Sequence, residues 1–150
     1  MDENGSASAL TSARILHSAF AASPLIYLIV LRVSFSASGE LFSIGDAVLF
    51  SLVVVLGVLG AALMLAGLYL PPILARVSVK QSQKPENAIV LVFLIRAACY
   101  ELPAIFGLIV GLVGSRWELA FPFIAISLVA LLLSFPRTRH IEGFREEAGS

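Results

Sequence analysis

The run AVLFSLVVVLGVLGAALMLAGLYL, residues 47–70, is uncharged throughout and decides the class of fold. No charged residue occurs between Asp46 and Arg76. A helix that crosses the roughly 30 Å hydrocarbon core of a bilayer needs about 20 mostly apolar residues. The run therefore predicts a membrane-spanning helix.

The composition of the whole chain points the same way. Of its 150 residues, 59% are apolar and 13% are charged, and the mean hydropathy is +0.96. A soluble domain is about half apolar and about a quarter charged. The formal net charge is zero, so charge predicts no nucleic-acid partner. The single cysteine, Cys99, excludes an internal disulfide and a cysteine-cluster metal site.

Three more apolar segments predict an all-α fold, an integral membrane four-helix bundle within residues 14–137. The polar segment 1–13 lacks the basic start of a secretory signal and is expected to be a disordered tail. Residues 138–150 are expected to be a charged tail. The predicted spans are residues 15–35, 47–70, 88–113 and 118–135.

The connections and the basic residues predict the orientation. A long loop is expected over 71–87, opened by two prolines, and a tight turn at Gly114-Ser115-Arg116. The positive-inside rule then predicts a multi-pass protein of the inner, cytoplasmic membrane with both termini in the cytoplasm. Only Arg116 and Arg32 fall on the opposite side. The cytoplasmic set is Arg14, Arg76, Lys80, Lys84, Arg137, Arg139 and Arg145.

A weak internal similarity joins residues 23–30 (SPLIYLIV) and 102–109 (LPAIFGLI), in which a proline, an isoleucine and an aromatic recur in register. If it reflects duplication, each repeat is a hairpin of two spans, and the two repeats are parallel. Chance similarity in a biased composition is the alternative.

Glu101 is the most informative residue. It lies about 13 residues into the third predicted span, or roughly 20 Å at 1.5 Å per residue. An ionisable side chain at that depth is costly and marks a functional site by default. Removal from water disfavours the charged carboxylate, so the sequence predicts a group that binds a proton or a cation. The alternatives are a hydrogen bond that serves packing alone and a contact with a partner subunit.

Arg96 and Tyr100 are candidate supports for Glu101. Arg96 precedes Glu101 by five residues, about 140° around a helix, so the two do not share a face. Arg96 is therefore expected to reach the interface or another helix. Tyr100 is four residues after Arg96 and can stack on it, although a packed aromatic is the simpler interpretation.

Small residues predict where the helices approach one another. Pro103, Gly107 and Gly111 recur every four residues on the third span and form one smooth ridge. Gly57 and Ala61 offer a similar surface on the second span. These positions predict helix contacts within the bundle, within a homo-oligomer or within a larger membrane complex.

The sequence carries no catalytic motif. P-loop, GxSxG, HExxH and CxxC patterns are all missing from the 150 residues. His17 is interpreted as a structural residue at the end of the first span. We therefore expect no enzyme activity, no cofactor and no metal site, and we expect lipid as the main partner.

The segment from Gly57 to Gly114 resembles the hairpin of the ATP synthase c subunit, the proteolipid. In that family a cytoplasmic polar loop precedes a helix with a mid-membrane carboxylate. Here the loop reads Gln83-Lys84-Pro85-Glu86 and the helix reads YELPAIFGL from Tyr100. The resemblance implies that Glu101 occupies the position of the ion-carrying carboxylate. The chain is also similar to small four-span bacterial membrane proteins of unassigned function that share a Glu-x-x-Ala-Ile-Phe-Gly-Leu segment.

The chain departs from the proteolipid pattern in two ways. It has two additional spans, and its second span lacks the run of alternating glycines that packs proteolipid neighbours into a ring. The prediction is therefore a small non-enzymatic membrane protein with a proton- or cation-binding carboxyl at Glu101, proteolipid-like and not a rotor subunit. A structural accessory or assembly subunit is the first alternative, and a small proton-coupled exporter is the second.

Overall fold

The computed structural model describes residues 3–38, 45–81 and 85–136, and within these ranges every regular element is a helix. The all-α prediction is therefore confirmed. The tail expected at 138–150 lies outside the described residues. The four helices are α1 (Glu3–Ser38), α2 (Asp46–Gln81), α3 (Pro85–Gly114) and α4 (Trp117–Leu133).

Three of the helices are long and apolar enough to cross a membrane. The apolar segments are Leu10–Ser36, Asp46–Pro71 and Val90–Gly114, which overlap the first three predicted spans. Helix α4 is equally apolar but has 17 residues, the lower end of the range for spanning helices. The molecule is thus a membrane-type four-helix bundle, while the crossing by α4 stays a prediction.

Helix α3 is the centre of the bundle and packs against the other three helices. Helices α1 and α4 also pack against each other, whereas α2 packs on α3 and barely meets α4. Contacts such as Phe93 with Leu10, and Gly60 with Pro103, show that α1 and α3 run parallel and that α2 and α3 run antiparallel. The two hairpins of the suggested repeat therefore differ, because α3 and α4 pack closely and α1 does not pack closely on α2 over the described ranges.

The prediction of a disordered tail over residues 1–13 is wrong for the part that the structure describes. Helix α1 begins at Glu3, and Leu10 and Ala13 pack against Phe93 of α3. Ala13 is buried. The polar composition of the segment concealed two apolar positions that share a helix face and meet a neighbouring helix.

The prediction of a long loop over residues 71–87 is also wrong. Helix α2 continues through Pro71 and Pro72 to Gln81, and α3 begins at Pro85. A proline removes one backbone hydrogen bond, which membrane helices tolerate when neighbours satisfy the freed groups. Pro85 occupies the first helical position, where its fixed φ angle suits the start of a helix.

The tight turn between α3 and α4 occurs where it was predicted. Ser115 adopts a left-handed conformation with φ of 49°, and the Arg116 amide donates to the Gly111 carbonyl at 3.3 Å. Arg116 also forms a 3.5 Å salt bridge with Asp46 at the start of α2. Both side chains are largely exposed, so the pair contributes little to stability.

Candidate functional site

Glu101 forms a hydrogen bond with α1 at the middle of the bundle. The Tyr27 hydroxyl donates to Glu101 Oε1 at 2.7 Å. Glu101 lies 11 residues after Val90 and 13 before Gly114, or about 17 and 20 Å from the ends of the apolar segment. The carboxyl is therefore near the middle of the apolar segment of α3 and is hydrogen-bonded to a neighbouring helix.

The surroundings of this hydrogen bond are apolar except for the Ser23 hydroxyl, which also interacts with the Tyr27 hydroxyl. Tyr27 packs against a buried cluster contributed by α1, α3 and α4, and Ala104, one turn after Glu101, is fully buried in that cluster. Glu101 itself is half-buried. The cluster consists of Leu31, Ala104, Ala120 and Ile124, with Leu28 and Leu108 against it.

Arg96 does not neutralise Glu101. Its Nε donates to the Gly67 carbonyl of α2 at 3.2 Å, whereas Glu101 faces α1. The structure thus places the two side chains against different helices, as their 140° separation on the helix implies. Among the described residues no salt bridge involves Glu101.

Tyr100 is a packed aromatic on the α2 side of α3. A Cβ atom added to Gly67 would lie 2.6 Å from Tyr100 Cε1, so the ring rests on the glycine. The Tyr100 carbonyl accepts a hydrogen bond from the buried Ser127 hydroxyl of α4. Tyr100 therefore links three helices but does not contact the Glu101 carboxyl through a hydrogen bond.

The small residues of α3 meet different neighbours. A Cβ atom on Gly107 would lie 2.7 Å from Phe123 Cβ and 2.9 Å from the Ala120 carbonyl oxygen, both on α4. Gly111 approaches Leu31 of α1 and Ala120 in the same way. Pro103 instead contacts Gly60 of α2. The ridge thus serves three separate contacts.

Gly57 and Ala61 line an open groove instead of a close helix contact. The nearest atom to a Cβ on Gly57 is Phe123 Cζ at 3.9 Å, and Ala61 is exposed. The groove has a volume of about 530 Å³ and runs between α2 and α4 over Pro103. Gly60 and Gly67 are the glycines of α2 that lie against α3.

His17 joins α1 to the end of α4. It is buried, its Nε2 donates to the Leu131 carbonyl at 2.7 Å, and its ring meets Phe135 edge to face at 5.5 Å. His17 Nδ1 is buried and has no partner among the atoms that the structure describes. Arg14, one turn earlier, donates to the Pro136 carbonyl at 3.4 Å. The structural role predicted for His17 fits these contacts.

Tyr27 and Ser127 were not singled out from the sequence. The sequence contains an indication of their role, because a hydroxyl within an apolar span requires a hydrogen-bond partner and is expected to lie toward another helix. Tyr27 follows His17 by ten residues, close to three helical turns, and so shares its face of α1. The partner on α3 could not be chosen without the packing of the helices.

In the part of the chain that the structure describes, no three His, Cys, Asp or Glu side chains are grouped to hold a metal ion. The candidate site therefore consists of the Glu101 carboxyl, the Tyr27 phenol, the Ser23 hydroxyl and the apolar side chains around them. No protein-family model matches the chain, and no curated protein or solved structure is significantly similar to it.

Proposed function

We propose that this chain is a small, non-enzymatic, polytopic membrane protein in which Glu101 reversibly binds a proton. The observation that carries the proposal is the 2.7 Å hydrogen bond from Tyr27 to Glu101 at mid-depth, with no cationic side chain paired to the carboxyl among the described residues. A carboxylate in that setting is costly, and binding a proton removes its charge.

A proton suits this site better than a metal cation. Calcium and magnesium take six or more oxygen ligands. Among the described side chains the site offers two carboxyl oxygens, one phenol oxygen and the Ser23 hydroxyl, which are fewer than six, with apolar side chains around them. The resemblance of YELPAIFGL to the proteolipid helix supports the same assignment for Glu101, since the corresponding carboxylate of that family carries an ion.

Protonation of Glu101 is coupled to the contact between α1 and α3. A hydrogen bond from a phenol to a carboxylate is roughly twice as strong as one to a neutral acceptor. When Glu101 takes up a proton, the Tyr27 hydroxyl therefore holds α3 less firmly. Through this bond the charge state of one side chain alters the packing of two helices.

We propose an inner-membrane location with both termini in the cytoplasm. Arg14 of α1 contacts Pro136 after α4, so these two ends of the bundle lie together. Arg116 lies at the other end, in the turn between α3 and α4. The sequence predicts that most basic residues lie on the side of Arg14, and the positive-inside rule assigns that side to the cytoplasm.

Labelling with an apolar carbodiimide tests the proposal, because the reagent reacts with a protonated carboxyl in an apolar setting. We expect labelling at Glu101 that decreases as the pH is raised, measured by peptide mass spectrometry. Glu118, which is exposed at the start of α4, is the internal reference. E101Q is the unlabelled control, and Y27F, which lacks the hydrogen-bond donor to Glu101, is labelled in parallel.

Two results would contradict the assignment. One is labelling at Glu101 that does not exceed labelling at Glu118 at any pH. The other is a Glu101 reactivity that is independent of pH in both the wild type and Y27F. Thermal unfolding of each variant, followed by circular dichroism, shows whether the bundle is intact in the samples compared.

The groove between α2 and α4 favours a second candidate, an accessory or assembly subunit of a larger membrane complex. It is lined by small and apolar residues and is open to the side. Small residues let another transmembrane helix approach closely. Replacing Ala61 by Leu would fill the groove; if this change releases a co-purifying membrane protein and E101Q does not, the accessory role is favoured.

A further inference from the structure

A second groove lies between α1 and α4, near the turn that joins α3 to α4. Its volume is about 420 Å³. The groove is lined by an apolar set of side chains, here called the floor, together with a guanidinium, a hydroxyl and an indole. The floor consists of Leu28, Leu31, Phe35 and Phe121, and the remaining lining residues are Arg32, Ser36 and Trp117.

Arg32 brings a positive charge to this groove. The residue is exposed and lies four residues before the end of the apolar segment at Ser36, or about 6 Å inside it. Within the described ranges it forms no salt bridge, in contrast to Arg116, which pairs with Asp46 at 3.5 Å. The Ser36 hydroxyl donates to the backbone carbonyl of Arg32, a bond that does not involve the guanidinium.

The position of the groove matches the boundary between headgroups and acyl chains. Trp117 is the first residue of α4, and tryptophan concentrates at the membrane interface. An arginine at this depth meets lipid phosphates, which accept paired hydrogen bonds from its planar fork. The apolar floor continues from Phe35 toward Leu28, in the direction that an acyl chain takes into the bilayer.

We propose that this groove binds one anionic phospholipid of the adjacent leaflet. The lipid phosphate pairs with Arg32, the indole of Trp117 lies at the glycerol level, and one acyl chain follows the floor between α1 and α4. Charge complementarity selects this occupant, because a net anionic lipid supplies a counter-charge that no residue in the described part of the chain gives to Arg32. The choline of a zwitterionic lipid, in contrast, already neutralises its own phosphate.

The chain provides its own reporter, because Trp117 is the only tryptophan. The protein is placed in two sets of phosphatidylcholine vesicles, one with brominated phosphatidylglycerol and one with the same mole fraction of brominated phosphatidylcholine. The bromine is near the headgroup end of the acyl chains. Bromine quenches the indole on contact. One basic residue near an anionic surface contributes ~1 kcal/mol, so we expect roughly a fivefold preference for phosphatidylglycerol in the quenching isotherm.

Matched variants locate the preference. R32Q should reduce it to near unity, R32K should retain part of it, and R116Q should leave it unchanged, because Arg116 lies at the same end of the bundle but outside the groove. Equal quenching by the two lipids in the wild type overturns the proposal. A preference for phosphatidylglycerol that survives in R32Q also overturns it. The same holds if R116Q reduces the preference as much as R32Q does, because the charge of the surface as a whole would then explain it. Circular dichroism confirms the helical fold of each variant.

Discussion

Gly107 offers the sharpest test of how α3 and α4 are held together. In G107A the new methyl group would lie 2.7 Å from Phe123 Cβ and 2.9 Å from the Ala120 carbonyl oxygen. An ordinary contact needs at least 3.4 Å, so the helices must separate locally by about 0.7 Å. A Cβ atom and a backbone oxygen move only with their helix, and side-chain rotation does not relieve the clash.

The expected magnitude follows from two opposing effects. An additional methyl group in a well-packed contact lowers the free energy of unfolding by about 1–3 kcal/mol. Alanine in a helix interior is about 0.5–1 kcal/mol better than glycine. We therefore expect G107A to lower the free energy of unfolding by about 1–2 kcal/mol. G57A is the matched control, since its Cβ meets only Phe123 Cζ at 3.9 Å and the helical preference of alanine should leave the variant as stable as the wild type or more so.

The assay is reversible unfolding in mixed micelles with increasing denaturing detergent. Fluorescence of Trp117 reports on the start of α4, next to the Gly107 contact, and circular dichroism follows helix content. The reasoning is refuted if G107A is as stable as G57A, because α4 would then not rest on Gly107 at the distance described.

Three further predictions use the same assay. S127A should lower the free energy of unfolding by about 0.6 kcal/mol, and at most by about 1.7 kcal/mol, because it removes the buried hydroxyl that bonds the Tyr100 carbonyl. A gain in stability would contradict this bond. H17A should lower the free energy of unfolding by about 2 kcal/mol, because it removes the bond to Leu131 and leaves a cavity. An unchanged stability would exclude His17 as a link between α1 and α4. In a double-mutant cycle, Y27F and E101L, which removes the acceptor, should be coupled by about 1 kcal/mol in the free energy of unfolding, and additive effects would show that the two side chains do not interact.

The sequence determined the membrane class and the approximate place of each helix because both depend on length and hydropathy. Residues 47–70 form one uninterrupted apolar helix, as predicted. The ends of the helices were predicted less accurately. Polar residues and prolines mark the membrane interface, but a helix can continue through them. Helix α2 crosses Pro71 and Pro72, and α1 begins before the first apolar residues.

The partners of each helix could not be predicted, because hydrophobicity does not separate buried from exposed positions when lipid is the solvent. Large aliphatic side chains such as Ile29, Val58 and Ile126 are exposed. Buried positions of α1 recur at alternating intervals of three and four residues, the spacing that packs helices in a left-handed supercoil. These positions, of which Phe20 and Tyr27 are partly buried and the others buried, are small, polar or aromatic as often as aliphatic: Leu10, Ala13, His17, Phe20, Pro24, Tyr27 and Leu31.

The same spacing places Glu101 beside the closely packed positions of α3. On α3 the closely packed positions include Ala97, Tyr100 and Ala104, and Glu101 lies next to this seam, not on it. The Glu101 carboxyl is bonded to Tyr27, and this bond joins α1 to α3. The contact between α3 and α4 passes instead through Gly107, which meets Ala120 and Phe123. If Glu101 binds a proton as proposed, we therefore expect the change to affect the contact between α1 and α3 first and to leave the Gly107 contact intact.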